Sequence, residues 1–139
     1  MDIYEATQKL LTDAVPGVNV SAYVLSYDAD LDKFILPDFP AVTYNYSGLT
    51  PIVGQELSSN LFRVSLDIEV WGDLAQIAAN AQKVTDALNA RRVAVQNVEF
   101  TLVMMESRDI AELGLDFKRR YMRFAGLADV EAGGHDESR

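Results

Sequence analysis

The chain has 139 residues, enough for one domain with a core of its own, and its lack of cysteine excludes disulfide staples, a thiol nucleophile and thiolate metal sites. The formal charge of −9 argues against a general nucleic-acid binder, because the counterion release that drives such binding needs a basic surface. The charge is uneven: residues 1–90 hold 4 basic and 12 acidic residues, residues 91–126 hold 7 and 5, and residues 127–139 hold 1 and 4, so an acidic body adjoins a mildly basic third. A copy of the chain could meet another, acid against base.

An acidic residue follows Met1 where a signal peptide would be positive, and no segment approaches the roughly 20 apolar residues of a membrane span. The expectation is a soluble protein made in the cytoplasm. Ile3, Ala6, Leu10, Leu11 and Ala14 fall at helical spacing, and Pro16-Gly17 ends that helix. Val18 to Tyr27 alternates and predicts a strand, with Asp28 to Asp32 as the loop after it. Asp28, Asp30 and Asp32 match the first ligand positions of a calcium loop, but Lys33 stands where the loop needs glycine and Phe39 where it needs an acid, so a solvated turn is the expectation.

Pro40 can open a strand but cannot lie within a ladder, and Val42, Tyr44 and Tyr46 then alternate, which predicts a strand over 41–47. Residues 48–60, with two glycines and a proline, read as a long loop. Leu61 to Trp71 is the clearest strand. Phe62, Val64, Leu66, Ile68 and Val70 point one way and Arg63, Ser65, Asp67 and Glu69 the other, so one face is core and the other is wet or used for contact. After Gly72, Asp73 is an N-cap with Gln76 as its capping-box partner, and Leu74, Ile77, Ala78, Ala81, Val84 and Leu88 form the stripe of a helix ending near Ala90.

Two strands follow, one through Val98, Phe100, Leu102 and Met104, the other from Leu113 through Phe124. In the second, the apolar positions slip from odd to even around Arg119-Arg120, as at a bulge or at a strand end buried on both faces. The order α-β-β-β-α-β-β is α+β: an antiparallel sheet of about five strands with two helices on one face, in a single domain over 1–127, followed by an acidic tail over 128–139 expected to be disordered.

No nucleophile or phosphate-loop motif is present and the single histidine, His135, lies in the tail, so neither an enzyme nor a cofactor is expected. Asp67 and Glu69 lie two residues apart on one strand face, where ion pairs across strands or between subunits are a simpler reading than acid/base chemistry. Lys118 to Arg123 resembles a basic patch, yet alternation puts Lys118 and Arg120 on one face and Arg119 and Arg123 on the other with Tyr121, which favours acidic protein neighbours over phosphate. Trp71 is either an interface anchor or cover for the edge of the core. The candidate interface residues are Tyr44, Tyr46, Arg63, Asp67, Glu69, Trp71, Arg119, Arg120 and Arg123.

The short first helix, the strand opened by Phe39-Pro40 and rich in tyrosine, the strand closing in Val70-Trp71-Gly72, the alanine-rich helix ending Val84-Thr-Asp-Ala-Leu88, and the basic residues before Phe124 together resemble the tail-completion or tail-terminator proteins of long-tailed bacteriophages over roughly residues 2–127. The resemblance implies a structural virion protein of the tail-neck region, assembled in the host cytoplasm without a membrane partner. Such a protein forms a ring, commonly a hexamer, that caps the head-proximal end of the tail tube, stops tube polymerisation and joins tail to head. Its partners would be other copies, the tail tube protein and a connector or adaptor, with DNA passing an acidic lumen unbound. A head-tail connector or minor capsid protein is the near alternative. A small-ligand module using Asp67 and Glu69 is the alternative from another class.

Overall fold

The computed structural model describes residues 2–22, 26–30, 33–35, 37–52, 60–111 and 118–130. Helix α1 spans Ile3–Ala14, capped by the Asp2 carboxylate accepting from the Glu5 N–H at 2.8 Å, and ends as Gly17 takes a φ of +80°. Strand β1 (Asn19–Ala22) follows, then the paired short strands β2 (Ser26–Asp28) and β3 (Lys33–Ile35), and then β4 (Ala41–Pro51) and β5 (Leu61–Gly72). Helix α2 (Leu74–Leu88) leads to β6 (Arg91–Val95), β7 (Val98–Ala111) and β8 (Lys118–Asp129).

The main sheet has six strands in the order β1-β4-β5-β8-β7-β6. It is mixed, because β1 runs parallel to β4 while every other pair is antiparallel. That corrects the expectation of about five antiparallel strands in three places. The run read as one strand over 18–27 contributes only its first half to the main sheet; its last two residues, with Asp28, form β2, which pairs with β3 beyond the predicted loop. β6, between α2 and β7, is short and mostly exposed, so it offers no alternation to read. β4 continues to Pro51 past an extra residue at Ser47, well into the stretch read as loop; residues 53–59 of that stretch lie outside those described.

Both helices pack on one face of the sheet. α1 touches β1 and β6, the two edge strands, so the sheet curls around the helices like half a barrel. The enclosed core joins Ile3, Ala6 and Leu11 of α1, Ile77, Ala81, Val84 and Leu88 of α2, and the inward residues of the central strands: Leu66 and Ile68, Phe100 and Leu102, Met122 and Phe124. The capping box of α2 forms as expected, with the Gln76 N–H on the Asp73 carboxylate at 2.8 Å and the Asp73 N–H on Gln76 Oε1 at 3.0 Å. Leu74, expected in the buried stripe, is 64% exposed. Helical side chains lean toward the N-terminus, so the first residue of α2 projects beyond the turn that would cover it.

The extra residue that shifts register near the C-terminal strands is Met105 of β7, between Met104 and Glu106. β8 itself pairs residue for residue with β5 from Lys118 to Asp129, so no bulge falls at Arg119-Arg120. Leu113, Leu115 and Phe117 lie outside the described residues. At Gly126 β8 lies so close to β7 that an added Cβ would overlap the Thr101 carbonyl oxygen.

Candidate functional site: the open face of the sheet

Strand alternation places every second residue of β4, β5, β8 and β7 on the face without helices. The register sets these residues in rows. Thr43, Glu69, Tyr121 and Arg108 form one row; Asn45, Asp67, Arg123 and Glu106 form the next. Further along come Gly48, Ser65, Ala125 and Val103, and then Thr50, Arg63, Leu127 and Thr101. The face thus divides into a charged half and a half of small and apolar residues.

In the charged half the partners are already on the sheet. Arg119 Nη1 donates to Glu69 Oε2 at 3.0 Å, and both side chains are 19% exposed. Asp67 Oδ1 accepts from the Tyr121 hydroxyl at 2.5 Å and from Arg123 Nε at 3.1 Å. Burial first, and then the proton shared with Asp67, pushes the Tyr121 phenol up to about 12. The Arg108 and Arg123 guanidiniums lie 5.3 and 5.8 Å from the centre of the Tyr121 ring, within cation–π range. The two carboxylates therefore pair across strands, and of the residues bounding the hollow of about 230 Å³, Thr43, Asp67, Glu69 and Tyr121 are bonded within the chain, with Asn45 completing its rim.

Trp71 anchors the end of this network. It is 1% exposed, with its Nε1–H on Thr43 Oγ1 at 3.0 Å, Phe39 stacked on it at 6.1 Å and the Arg119 guanidinium 5.0 Å from its ring centre. In the isolated chain it takes the second of its two readings, cover rather than exposed anchor. Tyr44 and Tyr46 are also enclosed, on the other face. The Tyr46 hydroxyl meets Thr7 Oγ1 at 2.6 Å and the Tyr44 hydroxyl donates to Gln8 Oε1 at 2.9 Å, which ties β4 to α1. Arg120 also points away from the open face, bonded to Asp109 at 2.9 Å. Of the candidate interface residues, Arg63, Asp67, Glu69, Arg119 and Arg123 share the open face with the covered Trp71; Tyr44, Tyr46 and Arg120 do not.

The other half holds a feature the sequence reading passed over. Gly48, Ser65 and Ala125 make a floor with almost no side-chain height, and Val103, Met105, Leu127 and Arg63 rise around it to form a groove of about 670 Å³. Val103, Met105 and Leu127 are 49%, 65% and 39% exposed. The signal was Leu102-Val103-Met104-Met105, an unbroken apolar run in which only the even positions are needed for the core. Among the described residues no three His, Cys, Asp or Glu side chains cluster to hold a metal ion, and no helix is long and apolar enough to cross a membrane.

No family model matches the sequence, and no curated protein matches it. The fold does have solved counterparts. It is similar to a chain in the structure of the virion of a native gene transfer agent particle, with a TM-score of 0.56 and 18% identity over 87% of this chain and 84% of that one. At that identity the likeness is one of fold.

Proposed function

We propose that this chain is a structural protein of a phage-like virion, a ring-forming tail terminator that caps the head-proximal end of the tail tube and joins it to the head. The observation that carries the reading is the fold shared, over most of both chains, with a chain of a gene transfer agent virion. The resemblance of residues 2–127 to tail-completion proteins supports the finer assignment. A sheet covered on one side only, with an exposed apolar groove on the other, also suits a protein that completes its burial against neighbours. With Asp67 and Glu69 matched by Arg123 and Arg119, the charged half of the open face offers DNA little basic surface to hold. The mechanism is steric: a closed ring on the tube end occupies the surface that the next tube ring would need.

The direct test is a tail-tube polymerisation assay with the tube protein of the same particle. Addition of the chain in amounts far below the tube protein is expected to halt elongation and to leave the chain at one tube end, visible by gold labelling. If elongation continues and the label goes to the portal or adaptor ring, the head-tail connector reading replaces the terminator.

A further inference from the structure

Among the described residues, Met105 and Leu74 are the two most exposed large apolar side chains, at 65% and 64%. Single exposed apolar residues are ordinary, but each of these belongs to a larger feature. Met105 borders the groove of the open face. Leu74 begins α2 and is followed by exposed Ala75, Ala78 and Ala79, so one large side chain stands on a helix turn otherwise low enough for close approach. One feature is hollow and the other protrudes. They belong to opposite faces of the same sheet, the groove to the open one and α2 to the covered one, so they cannot meet within a single chain.

Their charges are complementary as well. Arg63 is the charged residue of the groove lining, is exposed, and has no carboxylate partner among the described residues. Asp73, adjacent to Leu74, is exposed and acidic. A groove of this size falls in the range of roughly 300–1,000 Å³ that encloses a small ligand, and so has room for a leucine with flanking alanines.

We infer that the first turn of α2 in one copy docks into the open-face groove of the next, with Leu74 seated among Val103, Met105 and Leu127 and with Asp73 toward Arg63. This rests on the ring reading above and names the surfaces that would build the ring. Groove and turn are different surfaces, so the contact is heterologous: each copy gives its α2 turn to one neighbour and its groove to the other, and the series closes when the rotation per copy closes.

The absence of cysteine makes the contact testable by cross-linking. Leu74→Cys and Leu127→Cys chains, mixed and oxidised, are expected to give a disulfide-linked heterodimer, while neither alone gives a homodimer. The same pair in one chain is expected to give a ladder ending at the closed ring. Leu74→Glu and Met105→Glu provide the second measurement, since both positions are exposed enough to leave folding intact. Each variant alone is expected to lose assembly, and their equimolar mixture to stop at a dimer held by the one undamaged contact. Rings that persist in both variants, with no cross-link, would overturn the docking inference and leave the ring reading standing. Cross-links without closed rings would support the docking and sink the ring. A wild-type chain that stays monomeric even with tail tubes present, and gives no cross-link, would overturn both.

Discussion

The two faces of the sheet are built from alternate residues of the same strands and have opposite fates. On β5, Val64, Leu66, Ile68 and Val70 are buried under the helices, whereas Arg63, Ser65, Asp67 and Glu69 face away from them. The covered face is mainly apolar, and its polar groups, the Tyr44 and Tyr46 hydroxyls and the Arg120–Asp109 pair, are matched within the chain. The open face is finished only in part: its charged half pairs its own acids and bases, while its other half leaves Val103, Met105 and Leu127 in water. The comparison teaches that, of the charges in the candidate interface, Asp67, Glu69, Arg119, Arg120 and Arg123 already have partners within the chain, while the exposed apolar surface of the open face lies in its other half.

The largest expected effects come from the covered face. Phe124→Ala should cost about 3–5 kcal/mol and Leu66→Ala about 2–5 kcal/mol, through lost transfer energy plus the cavity left behind. Denaturant unfolding measures both, and losses near zero would mean the faces are exchanged. In the charged half, Arg119→Met should cost about 1–3 kcal/mol, because the Glu69 carboxylate loses a charged hydrogen-bond partner in a part-buried place. A double-mutant cycle with Glu69→Gln isolates the coupling. By contrast the exposed Arg92 and Glu99 pair should contribute less than about 1 kcal/mol.

Alkaline pH probes both faces together. Burial raises the phenols of Tyr44 and Tyr46 above the ordinary 10.0 on the covered face, and that of Tyr121 to about 12 on the open face. The unfolded chain gives up these protons near pH 10 while the folded chain keeps them, so this contribution to stability is full below pH 10 and is lost as pH rises toward 12. Unfolding free energy measured across that window should fall, and Tyr46→Phe should make the fall shallower; an unchanged slope would contradict the burial of Tyr46. The smallest stability effect is expected at the groove, where Met105→Glu should stay within about 0.5 kcal/mol of the parent yet abolish assembly.

Much of this was legible in the sequence where burial has a period. α1, β5 and the capping box at Asp73 and Gln76 fall where alternation and cap chemistry put them. β1 was located, but its parallel pairing with β4 depends on where the chain goes between residues 23 and 40, which local pattern does not encode. β6 was missed because an exposed edge strand of five residues has little alternation to show. At the site, Asp67, Glu69, Arg119 and Arg123 were correctly set on one face, since strand parity alone decides that. Tyr44 and Tyr46 are enclosed in this chain because their hydroxyls find partners on α1, a tertiary contact that strand parity does not encode. The groove exists only because Gly48, Ser65 and Ala125 from three different strands come into register, which no local window contains.

The central claim is that this chain closes its unfinished face against copies of itself, and native mass spectrometry across protein concentration and salt, followed by negative-stain imaging of the largest species, tests it most directly. The account predicts one closed oligomer, with a central hole in projection, that the Met105→Glu chain fails to form. A wild-type chain that remains a monomer at every concentration, both alone and with purified tail tubes, would contradict it.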